Sequence, residues 1–274
     1  MFKPNHLKRR LAGGEKLFGA WLATGSVACA EIMAHQGFDF LILDLEHGPG
    51  DVGFATDVFR ALQGPATPVV VRVPANDPIF LKRILDAGAD SIMIPQVETA
   101  AEAEAAVRAC RYPPLGRRGY ASAQVRASGY GARRDYASVA NDELLLVIQL
   151  ESDQAVAQAA AICAIEGVDV PFLGVNDMAG SISRLEQLDQ PDVRTLVAQA
   201  EAAMLASGKP MGTVPSAGAT WQSLVDTGYS FLPVASDVSL LRDAARDCVF
   251  TQRKYRTGER DAELPPASGA RPAY

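Results

Sequence analysis

The feature that most constrains this chain is an alternation: eight short apolar runs rich in Val, Ile, Leu and Phe, separated by longer, often Ala-rich amphipathic stretches. Such runs read as strands of a parallel sheet, and the helical stretches between them supply the crossovers that parallel strands need. Strands are expected at Leu17–Leu22, Asp39–Leu43, Pro68–Val73, Ser91–Pro95, Leu144–Leu150, Val170–Gly174, Pro210–Val214 and Tyr229–Val234. Helices are expected at Ala28–His35, Gly53–Leu62, Ile79–Ala87, Ala100–Arg111, Asp153–Ile165, Asp192–Ala206, Ala217–Thr227 and Val238–Thr251. Glycines such as Gly37, Gly88, Gly167, Gly208 and Gly228 follow the helical stretches, where a helix commonly ends. Eight such units are the number of a (β/α)8 TIM barrel, and 274 residues suit one such domain.

Two stretches break the alternation. Residues 112–141 carry Pro113-Pro114 and Gly116, Gly119, Gly129 and Gly131, and form a connection too long for an ordinary barrel loop, expected to serve the active site or an oligomer contact. Residues 257–274, rich in Pro, Ala and charge, read as a loosely ordered tail behind a barrel domain spanning 1–256.

Charge excludes some partners. A net charge of −6 opposes the broad basic surface that nucleic acid requires, and the seven arginines between Arg108 and Arg134 are expected to be solvated or paired between subunits. The most apolar early stretch, Leu17 to Ala34, is broken by Gly25-Ser26 and carries Glu31, so it reads as strand and helix rather than a membrane span. Cys29, Cys110, Cys163 and Cys248 form no CxxC pair and lie in helical stretches. Together with a start that runs into charged residues without an apolar leader, they point to a reducing, cytoplasmic compartment.

In a barrel of this kind chemistry sits where the strands end, because the βα loops converge on one mouth there. The second strand runs into Asp44-Leu45-Glu46-His47, the third into Arg72, the fifth into Gln149-Leu150-Glu151 and the sixth into Gly174-Val175-Asn176-Asp177. Glu151 and Asp177 offer two hard oxygen ligands, the usual protein share for Mg²⁺ or Mn²⁺, or else are solvated loop acids or helix caps. His47 suits a general base with Asp44 as its orienting carboxylate, or a hydrogen-bonded structural histidine; Glu46 points away if the strand continues. Arg72, emerging from Val69-Val70-Val71, either pairs with an internal acid or meets an anionic substrate. Lys82 and Lys209 lie early in a helix and before a strand, away from the mouth where a Schiff base would form.

These segments, in order, resemble the HpcH/HpaI family of class II, metal-dependent aldolases, relatives of 4-hydroxy-2-oxoheptanedioate and 2-dehydro-3-deoxyglucarate aldolases. The likeness runs from Gly19 to about Arg246. It is carried by Gly19-Ala20-Trp21-Leu22, Asp44-Leu45-Glu46-His47, Val71-Arg72-Val73-Pro74, Leu85-Asp86-Ala87-Gly88-Ala89, Pro113-Pro114-Leu115-Gly116-Arg117-Arg118-Gly119, Ile148-Gln149-Leu150-Glu151 and Gly174-Val175-Asn176-Asp177.

The resemblance implies a TIM barrel, commonly hexameric, that reversibly cleaves 4-hydroxy-2-oxo acids to pyruvate or hydroxypyruvate and an aldehyde. It implies a divalent metal on Glu151 and Asp177, Mg²⁺ or Mn²⁺ with Co²⁺ or Zn²⁺ also possible. His47 becomes the catalytic base, with Asp44 and Asp86 as acidic partners, Asp86 reaching across a subunit interface. Arg72 and Gln149 contact the keto acid, the backbone at Asn176 and Asp177 holds its carboxylate, and Val214 lines its pocket. The sequence departs from the family at Val175-Asn176, where Gly-Pro is usual, and at Val214-Pro215-Ser216-Ala217, where a longer apolar residue is usual. A metal-dependent decarboxylase of oxaloacetate-like acids would use the same groups, and a noncatalytic keto-acid-binding barrel would share the fold.

Overall fold

The computed structural model of the chain describes residues 3–65, 67–216 and 218–257. Eight parallel strands close into a barrel in sequence order: β1 (Leu17–Leu22), β2 (Phe40–Asp44), β3 (Val69–Arg72), β4 (Ser91–Ile94), β5 (Leu145–Leu150), β6 (Val170–Leu173), β7 (Met211–Thr213) and β8 (Tyr229–Ser236). All eight expected strands are present, with ends matching to within two residues. β8 pairs in parallel with β1 and closes the ring.

Local chemistry sets the helix starts. Asp51 and Asp77 accept backbone N–H groups of the helices Val52–Ala61 and Pro78–Ala87, the latter with Pro at its first position, where the missing N–H is no loss. Thr99 and Glu102 form a reciprocal capping box on Ala100–Cys110. Gly88 ends Pro78–Ala87 at φ 114°, which a side chain would resist.

Several features differ from the sequence expectation. The stretch Asp153–Ile165 is two helices, Asp153–Ala157 and Ala159–Ala164, broken at Gln158. The chain after β6 turns at once into a helix, Val175–Ser181, rather than a loop. The helix expected from Ala217 starts at Trp221, capped by Thr220, and Ala217 itself lies outside the described residues. The last helix runs Asp237–Thr257, so the expected tail retains only residues 258–274, which lie outside the described residues. The connection 112–141 is long as expected, with only a 3₁₀ turn at Arg126–Ser128 and a short helix at Tyr136–Val139.

Two apolar clusters follow from the alternation of side chains across each strand. One, including Leu41, Leu43, Val71, Ile92, Ile94, Leu146 and Ile148, lies between barrel and helices. The other fills the barrel: Leu17 and Trp21, Phe40 and Ile42, Val70, Met93, Leu145 and Val147, Val170 and Phe172, and Phe231. Phe40 and Phe231 stack at 4.1 Å, which requires glycine on the neighbouring strands. A Cβ at Gly212 would sit 2.5 Å from the Phe172 ring, and one at Gly19 would run into Phe40.

The bottom of the barrel is closed by a helix absent from the sequence expectation, His6–Ala12, whose Leu7 and Leu11 join the inner cluster. Its cap residue Asn5 donates to Ser91 Oγ at 2.9 Å and to the carbonyls of Asp90 and Glu143. With that end plugged, only the opposite end is left to open onto solvent. Among the described residues no helix is long and apolar enough to cross a membrane.

Candidate active site

Each inward row of side chains changes character as its strand reaches the open end. After Phe40 and Ile42 the next inward residue of β2 is Asp44; after Val70 that of β3 is Arg72; after Leu145 and Val147 come Gln149 and then Glu151. All four are buried. A buried charge must be paired, and the pairing here is dense.

Asp44 and Arg72 are register partners at the ends of β2 and β3. Arg72 donates from Nε to Asp44 Oδ1 at 3.0 Å and from its Nη2 to Oδ2 at 2.7 Å, the two-point geometry that only Arg provides. Its guanidinium lies 4.6 Å from the centre of the Trp21 ring. Asp44 Oδ1 also accepts the backbone N–H groups of Glu46 and His47, at 3.0 and 3.2 Å, and so folds the turn after β2.

That turn decides where Glu46 and His47 lie. Because β2 stops at Asp44, Glu46 does not point away: its carboxylate reaches Arg72 Nη1 at 2.9 Å. Asp44 acts on the backbone of His47, while Glu46 brings a carboxylate oxygen to 3.9 Å from His47 Nε2. Burial raises the carboxyl pKa of Glu46 above its ordinary value against the opposing pull of Arg72 and His47, with the charges of Asp44 and Asp177 adding to the rise.

Glu151 is held from two sides. Its Oε1 accepts the backbone N–H of Gln96 at 2.6 Å and its Oε2 the amide of Gln149 at 2.8 Å. Gln96 has a left-handed backbone, φ 54°, uncommon outside glycine, and this conformation accompanies an N–H directed at the carboxylate. Gly174 makes room, since a Cβ there would stand 2.8 Å from Glu151 Cβ and 2.9 Å from Oε2. Burial pushes the Glu151 carboxyl up to about 7; the Gln96 hydrogen bond opposes this, and the charges of Glu46 and Asp177 add to it. Gln149 Oε1 is buried with no hydrogen-bond partner.

Glu46, His47, Gln96, Val97, Glu98, Glu151, Ser152 and Asp177 line a cavity of about 300 Å³. Asp177 is exposed, in the first turn of Val175–Ser181, with Asn176 beside it, and Val214 is buried against the inner cluster. The structure thus gathers Asp44, His47, Arg72, Gln149, Glu151 and Asp177 at one end. Asp86 is elsewhere: it sits in the last turn of Pro78–Ala87, at the plugged end, and accepts from Arg118 at 2.7 Å. Lys209 donates to the Ile165 carbonyl at 2.9 Å in the turn before β7 and does not face the cavity.

The sequence reading missed Glu46 as a site residue, although its place in Asp44-Leu45-Glu46-His47 was a signal, and missed Gln96, whose contribution is a peptide N–H with no residue signature. The donor set suits a hard divalent cation. Acidic oxygens converge around a carboxyl pushed up by burial and, to a lesser extent, by the charges of its neighbours, and an unpartnered amide oxygen faces the same buried row. Among the described residues no group of three or more His, Cys, Asp or Glu could hold a metal ion, and Glu151 and Asp177 together are the two-carboxylate share that proteins usually give Mg²⁺.

Known proteins share this sequence and fold. The HpcH/HpaI aldolase/citrate lyase family pattern matches residues 17–244. The chain is 40% identical over 252 residues to a hydroxypyruvate/pyruvate aldolase of Paraburkholderia phytofirmans, covering 89% of this chain and 96% of that one. It is 38% identical over 251 residues to a 5-keto-4-deoxy-D-glucarate aldolase of Shigella boydii, covering 92% and 97%. A crystal structure of a protein from Burkholderia cenocepacia, described as of the same family, superposes with a TM-score of 0.86 at 40% identity, over 91% of this chain and 99% of that one.

Proposed function

Because the chain belongs to the HpcH/HpaI aldolase/citrate lyase family, we propose that its barrel mouth cleaves 4-hydroxy-2-oxo acids reversibly to pyruvate or hydroxypyruvate and an aldehyde. The enzyme is a carbon–carbon lyase, and its family is generally dependent on a divalent metal. The observation that carries the reading is the convergence of Arg72, His47, Glu151 and Asp177 at the open end of one barrel.

Glu151 and Asp177 would hold the cation, Mg²⁺ or Mn²⁺ by their hard oxygen chemistry. When bound, it supplies Lewis-acid stabilisation of the negative charge that develops on the keto oxygen. Arg72, held by Asp44 and Glu46, meets the anionic keto acid with its charge and adds positive charge beside the oxygen that becomes enolate. The Gln149 side chain, its oxygen unpartnered, contacts the same substrate, and the backbone at Asn176 and Asp177 receives its carboxylate beside Val214. His47 takes the proton of the 4-hydroxyl as the C3–C4 bond breaks and returns it in condensation, a task suited to an imidazole. Asp44 orients that residue through its backbone.

Asp86 serves this mouth only from a neighbouring subunit, so the reading includes a homo-oligomer, a hexamer by family resemblance, in a cytoplasmic setting. The test is product identity. A 4-hydroxy-2-oxo acid incubated with enzyme and Mg²⁺ or Mn²⁺ releases pyruvate and aldehyde in equal amounts. Release of CO₂ from oxaloacetate without any aldehyde-forming activity would replace this reading with the decarboxylase.

A further inference from the structure

Glu46 has no part in the chemistry described above, yet its side chain is only 10% exposed and stands between the two groups that perform it. One of its oxygens, Oε2, lies 2.9 Å from Arg72 Nη1 and 3.9 Å from His47 Nε2. Arg72 is already satisfied electrostatically by the buried carboxylate of Asp44 at 2.7 Å, so a second buried acid on the same guanidinium is not needed to neutralise it. Burying a carboxylate beside Asp44 and opposite Glu151 and Asp177 costs free energy, as the raised Glu46 carboxyl records. A costly charge kept at a reactive mouth calls for a role there.

We propose that Glu46 is a positioning residue, whose carboxylate bridges the Arg72 guanidinium and the His47 imidazole and so fixes the anion-binding group and the base at one spacing across the cavity. The role has two separable parts. Toward Arg72, Glu46 places an oxygen 2.9 Å from Nη1 and so fixes how the guanidinium is presented to the keto acid; the amide oxygen of Gln can occupy the same place. Toward His47, it offers negative charge to the imidazolium formed as the 4-hydroxyl proton is taken; a neutral amide cannot. Arg72, Asp44 and His47 face it from β3, the end of β2 and its own turn, and Glu151 and Asp177 face it across the cavity.

The inference rests on the aldolase reading, and the experiment separates the two. Parent, Glu46→Gln and Glu46→Ala are compared with Mg²⁺ for kcat and KM in cleavage of a 4-hydroxy-2-oxo acid, with Tm measured on each. Glu46→Gln keeps KM within about threefold while kcat falls by ~10–100-fold, within the usual worth of assisting proton transfer. Glu46→Ala lowers kcat similarly and also raises KM by about tenfold, because Arg72 loses its second anchor. Both keep the parent Tm to within about 4 °C. The proposal is overturned if kcat of Glu46→Gln stays within about twofold of the parent, or if the two variants share one KM and one kcat. Absence of cleavage in the parent would instead refute the aldolase reading.

Discussion

Asp44 and Arg72 end adjacent strands in exact lateral register and are locked by two hydrogen bonds of 3.0 and 2.7 Å, with 5% and 1% of their surface exposed. The pair joins fold to chemistry: one partner folds the turn that carries His47, and the other is the only arginine in the inward-facing rows that form the mouth among the described residues. Removing one member of a buried ion pair costs ~3–5 kcal/mol, because the other is left desolvated. Glu46 remains on Arg72, so Asp44→Asn is expected at the lower end, about 3 kcal/mol by denaturant titration. A change below about 0.5 kcal/mol would show that the pair does not hold the mouth together.

Metal dependence is tested by removal. Excess EDTA abolishes cleavage, and a divalent cation restores it, since two carboxylates with open positions bind reversibly. Borohydride added with pyruvate leaves activity intact, because Lys209 is tied to a backbone carbonyl away from the cavity. Full activity in EDTA would contradict the account.

Binding of the cation also depends on pH with a definite sign. Burial lifts the Glu151 carboxyl to about 7, so the metal-free protein holds a proton there below that pH, and the metal must displace it. Affinity for Mg²⁺ therefore rises by up to about tenfold per pH unit from pH 5.5 toward 7 and then levels. Calorimetry in buffers of different ionisation heat counts the released proton. Glu151→Gln removes both affinity and proton release, and Asp177→Asn weakens affinity while sparing the fold.

Gly174 gives a test with no change of charge. In Gly174→Ala the new methyl meets Glu151 Cβ and Oε2 at 2.8 and 2.9 Å, so the carboxylate must shift and Oε2 must leave its hydrogen bond from the Gln149 amide. Metal affinity is expected to fall by at least tenfold, about 1.4 kcal/mol, with secondary structure by circular dichroism unchanged. Unaltered affinity would mean that the placement of Glu151 is not what the cavity requires.

Much of this architecture was legible in the sequence, for physical reasons that also explain what was not. The strands announce themselves because both faces are buried, as in Val69-Val70-Val71 and Leu145-Leu146-Val147-Ile148, leaving runs with no helical period. The helix His6–Ala12 offers only two large apolar residues, Leu7 and Leu11, among mostly charged ones, and its burial depends on the barrel floor it plugs. Val175–Ser181 carries Asn, Asp, Gly and Ser, poor helix formers, so local propensity reads as loop and tertiary context prevails. At the site, side chains at strand ends were found by type and position, whereas Glu46 depended on where β2 stops. The Gln96 N–H depended on a backbone angle that no side chain encodes.

His47 and Arg72 are expected to fail differently. His47→Ala lowers kcat by ~10²–10⁴ while keto acid and metal still bind, the usual effect of losing a general base. Arg72→Ala damages both donor binding and the chemical step, and Arg72→Lys restores only part, because lysine returns the charge without the planar fork that grips Asp44. Steady-state kcat and KM on one 4-hydroxy-2-oxo acid separate the cases, and identical profiles would contradict the assigned roles.

The central claim is that this mouth makes an enolate from pyruvate beside Arg72. The most direct measurement is proton NMR of the pyruvate methyl group in D₂O with enzyme and Mg²⁺ or Mn²⁺ and no aldehyde, which isolates enolate formation from acceptor handling. The account predicts loss of the methyl signal well above the metal-only rate, halted by EDTA and slowed by at least about 10²-fold in Arg72→Ala, the worth of one charge-stabilising donor. Exchange in Arg72→Ala as fast as in the parent, or parent exchange no faster than metal alone, would contradict it.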